Sequence, residues 1–200
     1  MKKIPGSQSQ AGQDQFIVNA LKSKREGVFV EVGSWHPRKH SNTFLLERKF
    51  DWRGIAFELD ESFAKLYNRK RKSLCHCVDA TKVEFADFFE WAKLPNRIDY
   101  LQLDIDPAEN TLKALKRMPL DNYRFSVITF EHDLYRDPAN EQVQAESAKI
   151  FQDIGYVRVV NNVKIDGRSF EDWWVDPEAV DLSLIGEGES TDLEWRSLFS

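Results

Sequence analysis

The feature that most narrows the folds open to this chain is a repeated unit: an apolar run that stops at a carboxylate and gives way to an amphipathic stretch. Val28-Phe29-Val30 stops at Glu31, Ile55-Ala56-Phe57 at Glu58, Leu74 to Val78 at Asp79, and Ile98 to Leu103 at Asp104. Short apolar runs alternating with helix-period segments predict β and α units feeding one parallel sheet. The carboxyl ends of such strands share a rim, which here would carry a row of acids. A single acid is explained as well by capping the next helix or turn. Four in succession are costly unless cations or hydrogen-bond donors use them, which predicts a site for a ligand rich in hydroxyls and amines.

Two hundred residues, 42% of them hydrophobic and 12% aromatic, are enough for one domain with a sizeable core. No apolar stretch reaches membrane-spanning length, and the opening Met1-Lys2-Lys3-Ile4-Pro5-Gly6-Ser7 runs into polar residues, so a soluble, cytoplasmic protein is expected. A net charge of -5 weighs against a general nucleic-acid binder. The basic group Lys65, Arg69, Lys70, Arg71 and Lys72 reads as the solvated end of a helix. Cys75 and Cys77 flank His76 in a predicted strand and alternate with it across the sheet, which rules out a closed zinc site and makes them core thiols.

Apolar spacing predicts helices at about 11–25, 61–70, 84–93, 108–118 and 139–154, with a capped helix start at Ser41-Asn42. Strand five, Phe125 to Phe130, ends in Glu131-His132-Asp133, a fifth acidic strand end. Two late strands, 156–163 and 170–175, flank Asp166-Gly167, a hairpin signal. Residues 1–10 read as a flexible leader and 178–200 as a tail around a single domain.

The loop after strand one has one glycine where a dinucleotide site needs G-x-G-x-x-G, so a ligand without pyrophosphate is expected. Glu58 suits the two hydroxyls of a ribose, and Asp79-Ala80 an adenine amine. A nucleoside with no phosphates and a charged amino-acid tail meets these demands. S-adenosylmethionine is such a molecule.

Val30-Glu31-Val32-Gly33, Ser41-Asn42-Thr43, Trp52-Arg53-Gly54, Asp99-Tyr100-Leu101 with Leu103-Asp104, and Tyr123-Arg124-Phe125 with Val127-Ile128-Thr129 and Glu131-His132 resemble the FkbM family of S-adenosylmethionine-dependent methyltransferases. The likeness runs from about Gly27 to Trp174 in order and spacing. It implies an α/β Rossmann-like class I methyltransferase fold: a seven-stranded, mostly parallel sheet with a C-terminal antiparallel hairpin and helices on both faces. It implies methyl transfer to a hydroxyl oxygen. Glu31 and Gly33 would line the methionine side of the cofactor, Glu58 the ribose and Asp79 with Ala80 the adenine, and Ser34, Asn42 and Asp104 are also expected at the cofactor. The chain departs from the family pattern at Gly33-Ser34-Trp35 and at Asp104-Ile105-Asp106-Pro107-Ala108-Glu109.

Such a transfer is an in-line displacement in which one proton must leave the acceptor. His132 is the expected general base, with His36 and His40 as second choices, and Asp104 and Glu131 complete the expected catalytic set. Asp104, Asp106 and Glu131 are also expected to hold Mg²⁺ or Mn²⁺, unless Asp106 merely caps the next helix. Trp173, Trp174 and Trp35 would either wall an acceptor sugar or fill the core. The expected acceptor is a carbohydrate, such as a deoxysugar in a glycan. Two other readings compete: a metal-dependent nucleotide-sugar glycosyltransferase using Asp104-Ile105-Asp106 as D-x-D, and a non-catalytic module binding an adenosyl ligand or a protein. Oligomeric state leaves no mark on the sequence.

Overall fold

A computed structural model describes residues 1–185 and 189–200. The first five strands are β1 (Val28–Val32), β2 (Arg53–Glu58), β3 (Leu74–Cys77), β4 (Arg97–Leu103) and β5 (Arg124–Glu131). The last three are β6 (Val157–Ile165), β7 (Arg168–Val175) and the two-residue β8 (Ser190–Thr191). They form one sheet in the order β3-β2-β1-β4-β5-β7-β6-β8. The β1–β5 pairings are all parallel, whereas β7 runs antiparallel to both β5 and β6. The expected seven strands and hairpin are present, and β8 adds a short eighth strand beside β6. The chain reverses direction across the sheet between β1 and β4, where a ligand crevice opens in sheets of this kind.

Strand alternation sorts the apolar side chains into two layers. Val30, Val32, Phe57, Leu101, Leu103, Ile128 and Phe130 point into one core, covered by α4 (Phe85–Trp91), α5 (Ala108–Arg117) and α6 (Asn140–Asp153). Phe29, Tyr100, Val127, Trp173 and Val175 point the other way, under α1 (Gln13–Ala20) and α2 (Phe44–Phe50). On that face α3 (Glu61–Lys70) packs Ala64 and Tyr67 on Ala56 and Cys75. Asp60 starts α3 by accepting from the amides of Ser62 (2.7 Å) and Phe63 (3.2 Å). Helices therefore cover both faces, as expected. α1 is shorter than the 11–25 pattern because Lys22 and Ser23 turn left-handed and the Ser23 amide donates back to the Val18 carbonyl (2.8 Å).

Several local expectations need correction. The opening ten residues, expected to be a leader, lie against α1. The Met1 ammonium donates to the Leu198 carbonyl (3.0 Å), the Ile4 amide to Gln15 Oε1 (2.8 Å), and the Ser7 and Ser9 hydroxyls to Asp14 Oδ1 (2.6 Å each). Asp14 is buried, and these donors are what keep its carboxylate satisfied there. Part of the expected tail, 186–188, lies outside the described residues; Trp195, Leu198 and Phe199 pack on the second core. Arg71, grouped above with solvated cations, has a fully buried side chain. Cys75 is buried but Cys77 is exposed, so only one of the two is a core thiol. Trp173 and Trp174 are wholly buried, and Trp173 stacks on Phe16 at 4.4 Å, so neither walls a ligand site. Among the described residues no helix is long and apolar enough to cross a membrane.

Candidate active site

The carboxyl ends of β1 to β5 open onto a cavity of about 580 Å³, within the range typical of ligand sites. Gly33, Glu58, Asp79, Ala80, Asp104 and Glu131 line it. Parallel pairing in register is what brings these strand ends together. Gly33 (φ 85°) makes the approach of β1 to β4 possible: a Cβ there would lie 1.7 Å from the Asp104 carbonyl oxygen.

At the β2 side, Glu58 accepts from the amides of Trp35 (2.7 Å) and Asp60 (2.9 Å), one on each oxygen. Both oxygens keep lone pairs for further donors. Trp35 lines the same cavity and packs toward Phe63, placing its ring on the Glu58 side of the site. Asp79 accepts from the Thr81 hydroxyl (2.6 Å) and amide (3.0 Å) and pairs with Lys82 (2.9 Å). Those contacts, the Thr81 hydroxyl first, hold its carboxyl down at about 2. Ala80 is buried beside it.

Glu31, Ser34 and Asn42 are buried and do not line the open cavity. Ser34 turns its hydroxyl toward Cys75 Sγ (3.4 Å). Glu31 Oε2 accepts from the Thr43 hydroxyl (2.9 Å) and the Tyr67 hydroxyl (3.0 Å), while Oε1 has no partner. Burial pushes Glu31 up to about 7 against the opposing pull of Arg71. Arg71 reaches Glu47 (3.0 Å), the Pro37 carbonyl (3.1 Å) and the hydroxyls of Ser41 (3.2 Å) and Thr43 (2.9 Å), tying the loop after β1 to α3.

The opposite end of the cavity is acidic. Burial raises the Asp104 carboxyl to about 6, opposed by a hydrogen bond from Glu131. Glu131 is pushed well above the usual carboxylate range by burial and by the adjacent Asp104 and Asp133 charges. Both carboxyls are thus harder to ionise than an ordinary carboxylate, and the hydrogen bond from Glu131 favours the charged form of Asp104. Asp133, named in the sequence only as part of the fifth acidic strand end and given no role, adopts φ 52° and keeps a buried, unpartnered Oδ1 while Oδ2 meets Arg136 Nε (3.2 Å). Sequence reading missed Glu171, directly opposite Glu131 on β7, which burial pushes up to about 8. A glutamate inside the apolar 170–175 strand was the signal for it.

Two expected roles are not supported by this arrangement. His132 is fully buried on the far side of β5, where Nδ1 accepts from the Leu134 amide (3.3 Å) and Nε2 faces Asp172 (3.3 Å). Strand alternation puts Glu131, not its neighbour, at the cavity, so His132 is not placed as a general base. The metal set is not assembled either. Asp106 is exposed and paired with Arg136, and among the described residues no group of three or more His, Cys, Asp or Glu could hold a metal ion. His36 and His40 do not line the cavity, and His36 Nδ1 accepts from the amides of Arg38 and Lys39.

No protein-family model and no curated protein sequence matches this chain. Solved structures do. A candidate rRNA methylase from Clostridium thermocellum superposes with a TM-score of 0.59 at 10% identity, covering 86% of this chain and 97% of its own. An O-methyltransferase from Bacillus cereus in complex with S-adenosylhomocysteine gives 0.57 at 14% identity (86% and 84%). A candidate O-methyltransferase from Klebsiella pneumoniae gives 0.53 at 15% identity (86% and 83%). The chain thus has the Rossmann-like fold of class I S-adenosylmethionine-dependent methyltransferases.

Proposed function

We propose that this protein is an S-adenosylmethionine-dependent methyltransferase of the FkbM type that methylates a hydroxyl of a carbohydrate, such as a deoxysugar in a glycan. The observation that carries the reading is the polarity of the cavity: ribose- and adenine-type acceptors, Glu58 and Asp79, line one end, and the carboxyls of Asp104 and Glu131, both raised by burial, line the other. The close approach at Gly33 and the unpartnered buried oxygens beside it fit an amino-acid-tailed nucleoside. The hydroxyl acceptor and its carbohydrate class rest on the FkbM-like segments.

When bound, S-adenosylmethionine supplies a methyl group on a positively charged sulfur. The protein's part is to orient the acceptor and take its proton. Asp104 accepts the proton of the acceptor hydroxyl, while a hydrogen bond from Glu131 favours its charged form. Burial of both groups strengthens these hydrogen bonds. The glycosyltransferase alternative needs Asp104 and Asp106 on one cation, and the Asp106–Arg136 pair draws Asp106 away.

Calorimetric titration with S-adenosylhomocysteine and with UDP-glucose tests the reading. Micromolar binding of the first alone supports it; binding of UDP-glucose alone rejects it. Glu58→Gln should weaken S-adenosylhomocysteine binding about 10- to 150-fold, because it loses charge-assisted hydrogen bonds to the ribose. An unchanged Kd would remove Glu58 from the cofactor site.

A further inference from the structure

The amino-terminal ends of β2 and β3, at the edge of the sheet away from the active-site cavity, open onto a second cavity of about 500 Å³. Asp51, Arg53, Lys72, Ser73, Leu74 and Trp91 are among the residues that line it. Trp91, at the end of α4, is 62% exposed, and its ring stands nearly perpendicular to that of His76 at 5.3 Å. Leu74 beside it is 41% exposed. Ser73 is buried, yet it lines this cavity and its hydroxyl has no hydrogen-bond partner.

The surround is basic. Arg48 and Lys49 lie in the last turn of α2, and Arg69 and Lys70 in the last turn of α3. The two helix ends meet here because Glu47 accepts from the amides of Lys72 and Ser73 (3.0 Å each). These four cations, with Arg53 and Lys72, are exposed and form no ion pair among the described residues; the ion pairs nearby use Arg25, Lys65 and Arg71 instead. Asp51, the acid that lines this cavity, is taken by Arg25. The net charge of -5 is therefore unevenly spread, with acids along the carboxyl rim and cations at this edge. Favourable placement at helix carboxyl ends accounts for the cations of α2 and α3. It does not account for Arg53 and Lys72, for the exposed indole or for the unpartnered hydroxyl.

A phosphodiester supplies what these groups lack: anionic oxygens for Arg53 and Lys72, and an acceptor for the Ser73 hydroxyl. The open face of Trp91 calls for a flat apolar partner, which a nucleobase provides. A basic groove that follows a phosphate backbone beside an aromatic platform is how proteins hold unpaired strands. A base inside a duplex is already stacked on both faces and cannot reach the ring. We infer that this edge binds single-stranded nucleic acid, with Arg53, Lys72 and Ser73 on phosphate and Trp91 stacked on a base. The surface is separate from the cavity at the carboxyl rim, and its assignment is independent of the methyltransferase reading.

The test is fluorescence anisotropy with labelled oligothymidylate and with labelled heparin, a polyanion of sugars that has no bases. Wild type should bind oligothymidylate with a micromolar Kd at about 50 mM salt and lose affinity steeply toward about 200 mM. Combining Arg53→Gln with Lys72→Gln should flatten the slope of log affinity against log salt by about 1.4, roughly 0.7 for each phosphate contact. Ser73→Ala should weaken oligothymidylate about tenfold with no fall in Tm, since it removes no hydrogen bond within the protein. Trp91→Ala should weaken oligothymidylate about 5- to 150-fold and leave heparin unchanged. Absence of oligothymidylate binding at about 50 mM salt overturns the assignment, as does an unchanged salt slope in the double variant. Equal weakening of both polymers by Trp91→Ala overturns it in favour of an anionic polysaccharide. No weakening of either makes this edge an unspecific polyanion surface and overturns it as well.

Discussion

Asp104→Asn should slow methyl transfer about 10²- to 10⁴-fold and leave S-adenosylhomocysteine affinity nearly unchanged, the signature of a lost general base. The amide keeps the size and one acceptor of Asp104 but cannot take a proton. The same assignment predicts a pH profile. With its carboxyl raised to about 6, Asp104 is protonated and inactive below that pH and ionised above it. Wild-type kcat/KM should therefore climb through about pH 6 and level off toward neutrality, and Asp104→Asn should lose that limb. Glu131→Gln should be milder, because glutamine can still donate to Asp104. Wild-type turnover by Asp104→Asn would reject the role; a parallel collapse of cofactor binding would move Asp104 to the cofactor side.

Arg71→Met should destabilise the fold by about 3 to 5 kcal/mol, because it strips the partner from a buried carboxylate. The side chains of Arg71 and Glu47 are 0% and 1% exposed. Burial works to raise the Glu47 carboxyl, yet Arg71 and the Lys72 and Ser73 amides hold it below its ordinary value. A carboxyl depressed in the folded state contributes stability above its unfolded pKa, near 4.5, and that contribution fades as the pH falls through the folded value. Urea unfolding at neutral pH should give the full loss, with Tm lower by roughly 6 to 20 °C. Adding Glu47→Leu should recover part of it by removing the stranded charge. A loss below about 1 kcal/mol would show that the network contributes little.

The strand ends were legible because two periodicities coexist in the chain. Apolar runs of strand length marked β1 to β5, helix-period spacing marked α3 at 61–70 as found, and Asp166-Gly167 marked the turn between β6 and β7. β8 was not legible, since two polar residues carry no period; it is a strand only because β6 offers it an edge. Arg71 misled for a related reason. In sequence it continues a basic run, and only the packing of α2, α3 and the loop after β1 shows that it faces inward toward Glu47.

What the sequence determined by itself was the class of architecture and the acidic rim: alternation, helix spacing and acids at strand ends are local properties, and parallel pairing in register follows from them. Tertiary structure alone decided which polar groups face the cavity. His132 and Glu131 are neighbours in the chain, but strand alternation and the antiparallel β7 send one against Asp172 and the other to the cavity beside Asp104. Lys72 and Trp91 lie apart in sequence, and only the packing of α4 beside the β3 edge sets them around one groove. The physical reason is the same in each case. A side chain's chemistry is written in the sequence, but its desolvation and its partners belong to the packed sheet.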